Sequence, residues 1–393
     1  MKLRPALVLW HRWFGLIAAV WLLLLALTGS FIVFMDEADR ALNPDLRRVE
    51  ATGDPLPVQT LVDAVRSAQP GTFVDYLLMP AGPNDSVLVF NAPVLTPGRP
   101  TPDHEYRQIY LNPYTAEILG DRRFGEPGLD SRRFSQFMYQ LHMDLNLGPV
   151  ATWLLGLLAL LWVFDHIASA ILSFPTARRW MQSFRVRWKA GSAKITFDLH
   201  RAPGLWLFPI TLMLAVTGVA LNWPTETDTA IEAVSPLTPF PTEALPSLPQ
   251  ADYRPVVSID RAITIARGQA DVAQVAAIST HPDKGFYWIR LKDPRDLDDA
   301  GGRWVVVDFR DGGVLWNRHL RDGSVGDEVK AWLFPLHTGH AFGWTGRIII
   351  FVSGLVLSGF IVTGLMIFAR KRSARLSRRT VPARRIEVIQ PAE

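Results

Sequence analysis

The sequence predicts an integral membrane α-helical protein: a four-helix transmembrane bundle with two exported α+β domains and an internal two-fold repeat. Three observations predict it. Four apolar stretches reach the roughly 20 residues needed to cross a hydrocarbon core. Lys and Arg cluster at the N-terminus, between the second and third stretches and after the fourth. The order span, soluble segment, span occurs twice along the 393 residues. Composition agrees, since 49% hydrophobic and 20% charged residues exclude a disordered or collagenous chain.

The N-terminus and first span take residues 1–35. The apolar run Trp13–Met35 is too long for a signal-peptide core, lacks a small-x-small cleavage site and ends at Asp36-Glu37. It therefore reads as an uncleaved anchor. Residues 36–149 form the first exported domain, 150–174 the second span and 175–201 a basic loop. The third span is 202–223, the second exported domain 224–347, the last span 348–369 and a basic tail 370–393. Arg178, Arg179, Arg185, Arg187, Lys189 and Lys194 lie in the loop. Arg370, Lys371, Arg372, Arg375, Arg378 and Arg379 lie in the tail, and Lys2, Arg4 and Arg12 at the start. The positive-inside rule makes all three cytoplasmic, so both exported domains lie outside the cytoplasmic membrane. Proximity to lipid accounts for this charge, so no nucleic-acid partner is expected.

Each exported domain reads as one helix followed by a small antiparallel sheet. Pro57–Val65 and Val257–Ile263 carry apolar residues at helical spacing. Strand-like runs follow at Ser86–Phe90, Gln108–Leu111 and Glu117–Leu119, and again at Phe286–Leu291, Trp304–Asp308 and Val314–Trp316. The stretch Pro236–Pro255 reads as a linker or wrapping loop.

The spans repeat as well. His11-Arg12-Trp13-Phe14-Gly15-Leu16 opens the first and His200-Arg201-Ala202-Pro203-Gly204-Leu205 the third. Leu141-His142 precedes the second span, and Leu336-His337-Thr338-Gly339-His340 the fourth. Thr28-Gly29, Thr217-Gly218 and Thr363-Gly364 lie deep in apolar runs, where small residues favour either helix packing or the approach of a flat cofactor.

These histidines carry the candidate chemistry. With no Cys, the chain excludes disulfides, thiolate catalysis, iron–sulfur clusters and covalently attached c-type haem. Neutral imidazole is a common axial ligand of haem, and cofactor sites in bundles form between facing helices. His11 and His200 fall near the cytoplasmic face, His142 and His337 near the outer face. His166, inside the second span beside Asp165, lies 24 positions from His142, roughly 36 Å of helix, so those two cannot share one iron. The set supplies ligands for two b-type haems: His142 with His337 for the outer one, and two of His11, His166 and His200 for the inner one. Whether His340 substitutes for His337 stays open, as does a non-haem metal on His337 and His340, which would share one helix face. Within the exported domains, His104, His281 and His319 read as surface residues. The acidic run Asp293–Asp299 reads as a solvated turn. No nucleotide, flavin or hydrolase motif occurs.

The His-x-x-x-Gly-Leu, Leu-His-x-Gly and Thr-Gly signatures together resemble the PepSY-associated transmembrane family, over essentially the whole chain. The resemblance implies four spans with two PepSY-like periplasmic domains. FoxB-type members are similar in length and layout, which implies a haem-containing inner-membrane oxidoreductase acting on ferric siderophores. His340 and His166 depart from the expected pattern. The partners expected are then a ferric siderophore or other ferric chelate, a cytoplasmic or quinol electron donor, and membrane lipid. Tyr106, Tyr110, Tyr139 and Arg133 are candidate chelate contacts between the exported domains. Two other readings stay open: a haem-free peptidase modulator or envelope sensor, and an electron-transfer module for another periplasmic acceptor.

Overall fold

A computed structural model describes residues 3–93, 106–174, 176–240, 242, 245–248, 255–270 and 274–380. The first half runs α1 (Leu3–Ile32), α2 (Met35–Leu42), α3 (Pro44–Arg47), α4 (Val58–Ala68), β1 (Thr72–Leu78), β2 (Val87–Pro93), β3 (Arg107–Leu111), β4 (Ile118–Arg123), α5 (Ser131–Asp144) and α6 (Pro149–Ser173). A 3-10 turn over Ala177–Phe184 leads into the second half. That half runs α7 (Ser192–Trp206), α8 (Phe208–Asn222), α9 (Pro224–Glu232), α10 (Ile259–Arg267), β5 (Val275–His281), β6 (Phe286–Leu291), β7 (Arg303–Asp308), β8 (Val314–His319), α11 (Val325–Thr338) and α12 (Gly343–Thr380). His104 and part of the Pro236–Pro255 segment lie outside the described residues.

Among the described residues α1, α6 and α12 are long and apolar enough to cross a membrane. The pair α7 and α8 passes the same test together, but is bent by 66°. The protein is thus a multi-pass membrane protein. Within the apolar stretch 202–223 the helix is broken at Leu207. Pro209 has no N–H to give the carbonyl of Leu205, and its ring clashes there.

The chain divides into two compact units, Met1–Leu27 with Leu161–Leu212 and Ser353–Glu393, and Thr28–Leu160 with Met213–Val352. In the first unit the basic loop is folded onto α7. The buried carboxylate of Asp198 accepts from Arg187 Nε at 2.7 Å and from Arg201 at 3.1 Å. Arg370 on α12 reaches the Thr196 hydroxyl of α7 at 3.0 Å.

The second unit is built on one antiparallel sheet of eight strands, ordered β4-β3-β2-β1-β5-β6-β7-β8. The two expected domains are therefore halves of a single sheet, joined where β1 meets β5 at Leu77 opposite Ile278. Helices α4 and α10 form the second layer. Val58, Leu61, Val62 and Val65 on one, and Ile259, Ala262, Ile263 and Ala266 on the other, bury the same i, i+3, i+4, i+7 stripe into a shared core. Each large aliphatic there contributes about 1.5–3 kcal/mol.

The two helices also cap each other. Asp260 of α10 accepts from the backbone N–H of Val58 at 2.8 Å and of Gln59 at 3.0 Å. The Gln59 side chain in turn accepts from the N–H of Ile259 at 3.3 Å. Orphan donors at each helix start are thus satisfied by the other repeat. Helix α2 is tied to the sheet by a buried two-pronged pair, Arg122 to Asp39 at 2.8 and 3.0 Å.

Candidate functional site

Helices α5 and α11 have the same place in the two repeats and the same length, 14 residues each. Asp130 caps the start of α5 through the N–H groups of Arg132 and Arg133. Ser324 and Asp327 form a reciprocal capping box on α11. Each helix then stops soon after a histidine, because the next backbone turns left-handed. Leu145 at φ 57 ends α5 and Gly339 at φ 82 ends α11. A Cβ at position 339 would also stand 2.6 Å from the carbonyl of Gly346, so only glycine fits there. His142 and His337 thus sit on short helices that precede the spans. The break at Gly339 puts His340 in a separate 3-10 turn, His340–Phe342, so His337 and His340 do not share one helix face as expected.

The rings of His142 and His337 face each other in the second unit, their centres 6.4 Å apart and their planes tilted by 56°. In the first unit His11 of α1 and His200 of α7 form a second pair, 6.0 Å apart and tilted by 50°. Two metal–imidazole bonds of about 2 Å plus two ring radii of about 1.1 Å, set by C–N bonds near 1.33 Å, would separate ring centres by about 6.2 Å. The ring-centre separation of each pair matches that value to within about 0.2 Å. All four residues keep part of their surface accessible.

The orientation of each ring is fixed through Nδ1. His200 Nδ1 donates to the carbonyl of Phe360 at 2.7 Å, and His11 Nδ1 donates to the carboxylate of Asp165, 3.0 Å from both oxygens. His337 Nδ1 lies 2.8 Å from the Thr217 hydroxyl, whose own proton goes to the carbonyl of Met213 at 2.8 Å. Thr217 must then accept from His337. His142 Nδ1 lies 3.1 Å from the Thr28 hydroxyl. With the proton on Nδ1, the lone pair is on Nε2, the tautomer that binds a metal. Burial keeps His337 neutral as well, its pKa pushed down to about 3 with His142 opposing a second charge.

The three Thr-Gly pairs are the seats of these rings. A Cβ on Gly29 would stand 2.8 Å from the His142 ring, and one on Gly364 would stand 2.9 Å from the His200 ring. At Gly218 the His337 ring is 3.8 Å away, ordinary contact. Thr363 donates to the same Phe360 carbonyl that holds His200. His11 is held by a carboxylate, that of Asp165, the sequence neighbour of His166.

His166 joins neither pair. It is 5% exposed, and its ring contacts are Trp162 and Phe208. Its Nδ1 donates to the carbonyl of Trp162 at 2.8 Å, and its Nε2 lies 3.0 Å from the Thr211 hydroxyl. Both ring nitrogens are engaged with protein.

Cavities open on the outer face of each half of the sheet, against the helix that carries its histidine. One of about 430 Å³ is walled by Phe90, Phe124 and Tyr139, the last one turn before His142. The other, about 310 Å³, is walled by Phe240, Trp304, Trp316, Arg290 and Lys330, and by Phe334 one turn before His337. Arg290 lies over the Trp304 ring at 5.4 Å. Of the expected chelate contacts, Tyr139 lines the first of these two cavities. Tyr110 is fully buried beneath Arg122 and Arg47, and Arg133 is paired with Asp130 at the surface.

His319 is corrected from a surface residue to a fully buried one, bonded to Asp296 at 3.0 Å. Asp293 in the same acidic run pairs with Arg295 and Arg303, and its hydrogen bonds from Arg295 hold its carboxyl well below the usual range. Among the described residues no group of three or more His, Asp and Glu is placed to hold a metal ion.

No curated protein matches the chain. The family described as "PepSY-associated TM region" matches it over residues 8–371.

Proposed function

This chain belongs to the PepSY-associated TM region family, and from that premise we propose that it is a haem-dependent oxidoreductase that reduces a ferric chelate outside the bacterial inner membrane. The observation that carries the reading is the double histidine pair, with ring centres 6.0 and 6.4 Å apart and every Nδ1 engaged. In this reading His11 and His200 would hold one b-type haem, and His142 and His337 would hold the other. When bound, haem supplies one-electron transfer without proton chemistry at the iron.

The chain's own residues do the rest. Thr28, Thr217, the Phe360 carbonyl and Asp165 set the tautomer and angle of each ring, and the glycines of the Thr-Gly pairs make room for it. The sheet unit is periplasmic and both termini are cytoplasmic, following the Lys and Arg that flank the spans. Electrons enter from a cytoplasmic or quinol donor. The substrate occupies the cavity of Trp304, Trp316 and Phe240, where aromatic faces suit the organic part of a chelate and Arg290 and Lys330 its negative charge. One electron added to a ferric centre lowers its charge and softens it, which weakens its bonds to hard oxygen donors and frees the metal. A ferric siderophore has this chemistry.

The test is a visible absorption spectrum of the detergent-purified protein, oxidised and then dithionite-reduced, with a pyridine haemochrome count. Two b-type haems per chain support the reading. A colourless protein from haem-replete cells sinks it and leaves the sheet unit to be examined as a peptide or protease binder.

A further inference from the structure

The four ring seats are not equivalent, and the difference lies in charge. Three Nδ1 groups face neutral oxygens: a main-chain carbonyl for His200 and threonine hydroxyls for His142 and His337. The fourth, on His11, faces the carboxylate of Asp165, which is 6% exposed. A carboxylate that accepts from Nδ1 makes an imidazole a stronger donor at Nε2. Its charge, screened little when buried, also favours the more positive state of a metal bound there.

We propose that Asp165 sets the direction of electron flow by giving the His11–His200 site a lower reduction potential than the His142–His337 site. This inference rests on the two-haem reading above. An electron released by the donor enters the His11–His200 site and reduces it. It passes on as that site is reoxidised and the His142–His337 site is reduced, and the ferric chelate then takes it and reoxidises the second site. Each transfer moves one electron and needs no other reactant. Asp165 is a positioning residue: it touches the ring of His11 and acts through it.

The test is a spectroelectrochemical titration of the full-length haem-loaded protein. The unaltered protein should show two midpoints. Asp165→Asn keeps an accepting oxygen for Nδ1 but removes the charge. It should raise the lower midpoint by the equivalent of about tenfold in the reduction equilibrium, which is 59 mV for one electron, and leave the upper one in place. Asp165→Glu should restore the lower value. If Asp165→Asn sheds its haem, His337→Ala in the otherwise unaltered chain decides the matter. The single haem that remains must then titrate at the lower of the two midpoints. Two retained haems with neither midpoint moved by Asp165→Asn, or a remaining haem at the upper midpoint in His337→Ala, overturns the inference while the two-haem reading stands. A protein without haem overturns both.

Discussion

The Nδ1 of His337 and the hydroxyl of Thr217 lie 2.8 Å apart, and the hydroxyl proton is committed to the carbonyl of Met213. One threonine thereby fixes the protonation of a histidine on another helix. Thr217→Val keeps the shape and removes the acceptor. Outer-ring partners of this kind are worth about 10–100-fold in affinity. Haem transfer to an excess of apomyoglobin should therefore release one haem per chain faster by that order. A release rate equal to that of the unaltered protein would deny Thr217 this role.

Removal of a ring should be counted in haem. His142→Ala and His337→Ala should each bring the pyridine haemochrome count from two towards one, as should His11→Ala and His200→Ala. His166→Ala should leave two, since both nitrogens of His166 are engaged with Trp162 and Thr211. A loss of haem in His166→Ala would return that residue to the ligand set.

The glycines offer a steric series. Gly29→Ala and Gly364→Ala place a methyl under 3 Å from the rings of His142 and His200, and each should displace one haem. Gly218→Ala meets the His337 ring only at 3.8 Å and should keep both. Equal haem content in all three variants would mean that the rings move freely aside.

Acid should loosen α11 through Asp327. Its carboxylate accepts from Thr238, Arg318 and Ser324, which hold its pKa well below the usual range against the opposing effect of burial. A depressed folded value means that the stabilisation is fully present above the unfolded pKa of about 3.9. It is lost as pH falls towards the folded value. Asp327→Asn should cost about 1–3 kcal/mol at neutral pH, with the gap to the unaltered protein closing below about pH 4. Urea melts followed by tryptophan fluorescence at several pH values would show it, and a gap independent of pH would refute it.

Substrate contact should show in KM. Trp316→Ala enlarges the cavity beside Phe240 without touching the rings of His142 or His337. Ferric-chelate reduction should show a KM raised about tenfold, the weight of one desolvated aromatic contact, and an unchanged haem count. A KM equal to that of the unaltered protein would place the chelate elsewhere.

Most of the membrane part was legible because its signals are long and one-dimensional. Apolar runs, flanking Arg and a histidine near each span survive any uncertainty of a few residues. The break at Leu207 was legible too, since Pro209 interrupts the third apolar run and cannot donate to the carbonyl of Leu205. Strands β1 and β5, which join the repeats, were missed: Val275-Ala276-Ala277-Ile278 lacks alternation, being buried throughout at the middle of the sheet. The pairing of His11 with His200 rather than His166 depends on which way each helix is turned about its axis. Spacing within one helix carries no information on that. Asp165 was visible as a carboxylate inside a span, but its sequence neighbour His166 drew attention from its spatial neighbour His11.

The crossed caps between Gln59, Ile259, Asp260 and Val58, together with the β1–β5 join, mean that neither half of the sheet is complete alone. A chain of half this length would close the same sheet only by meeting a second copy of itself edge to edge, with each copy capping the other's helix. Such a homodimer, fused after gene duplication, would give this architecture directly. Its descendants could then specialise one half without losing the other. The carboxylate at Asp165 and the Trp-lined cavity, each on one side only, are the marks such divergence would leave.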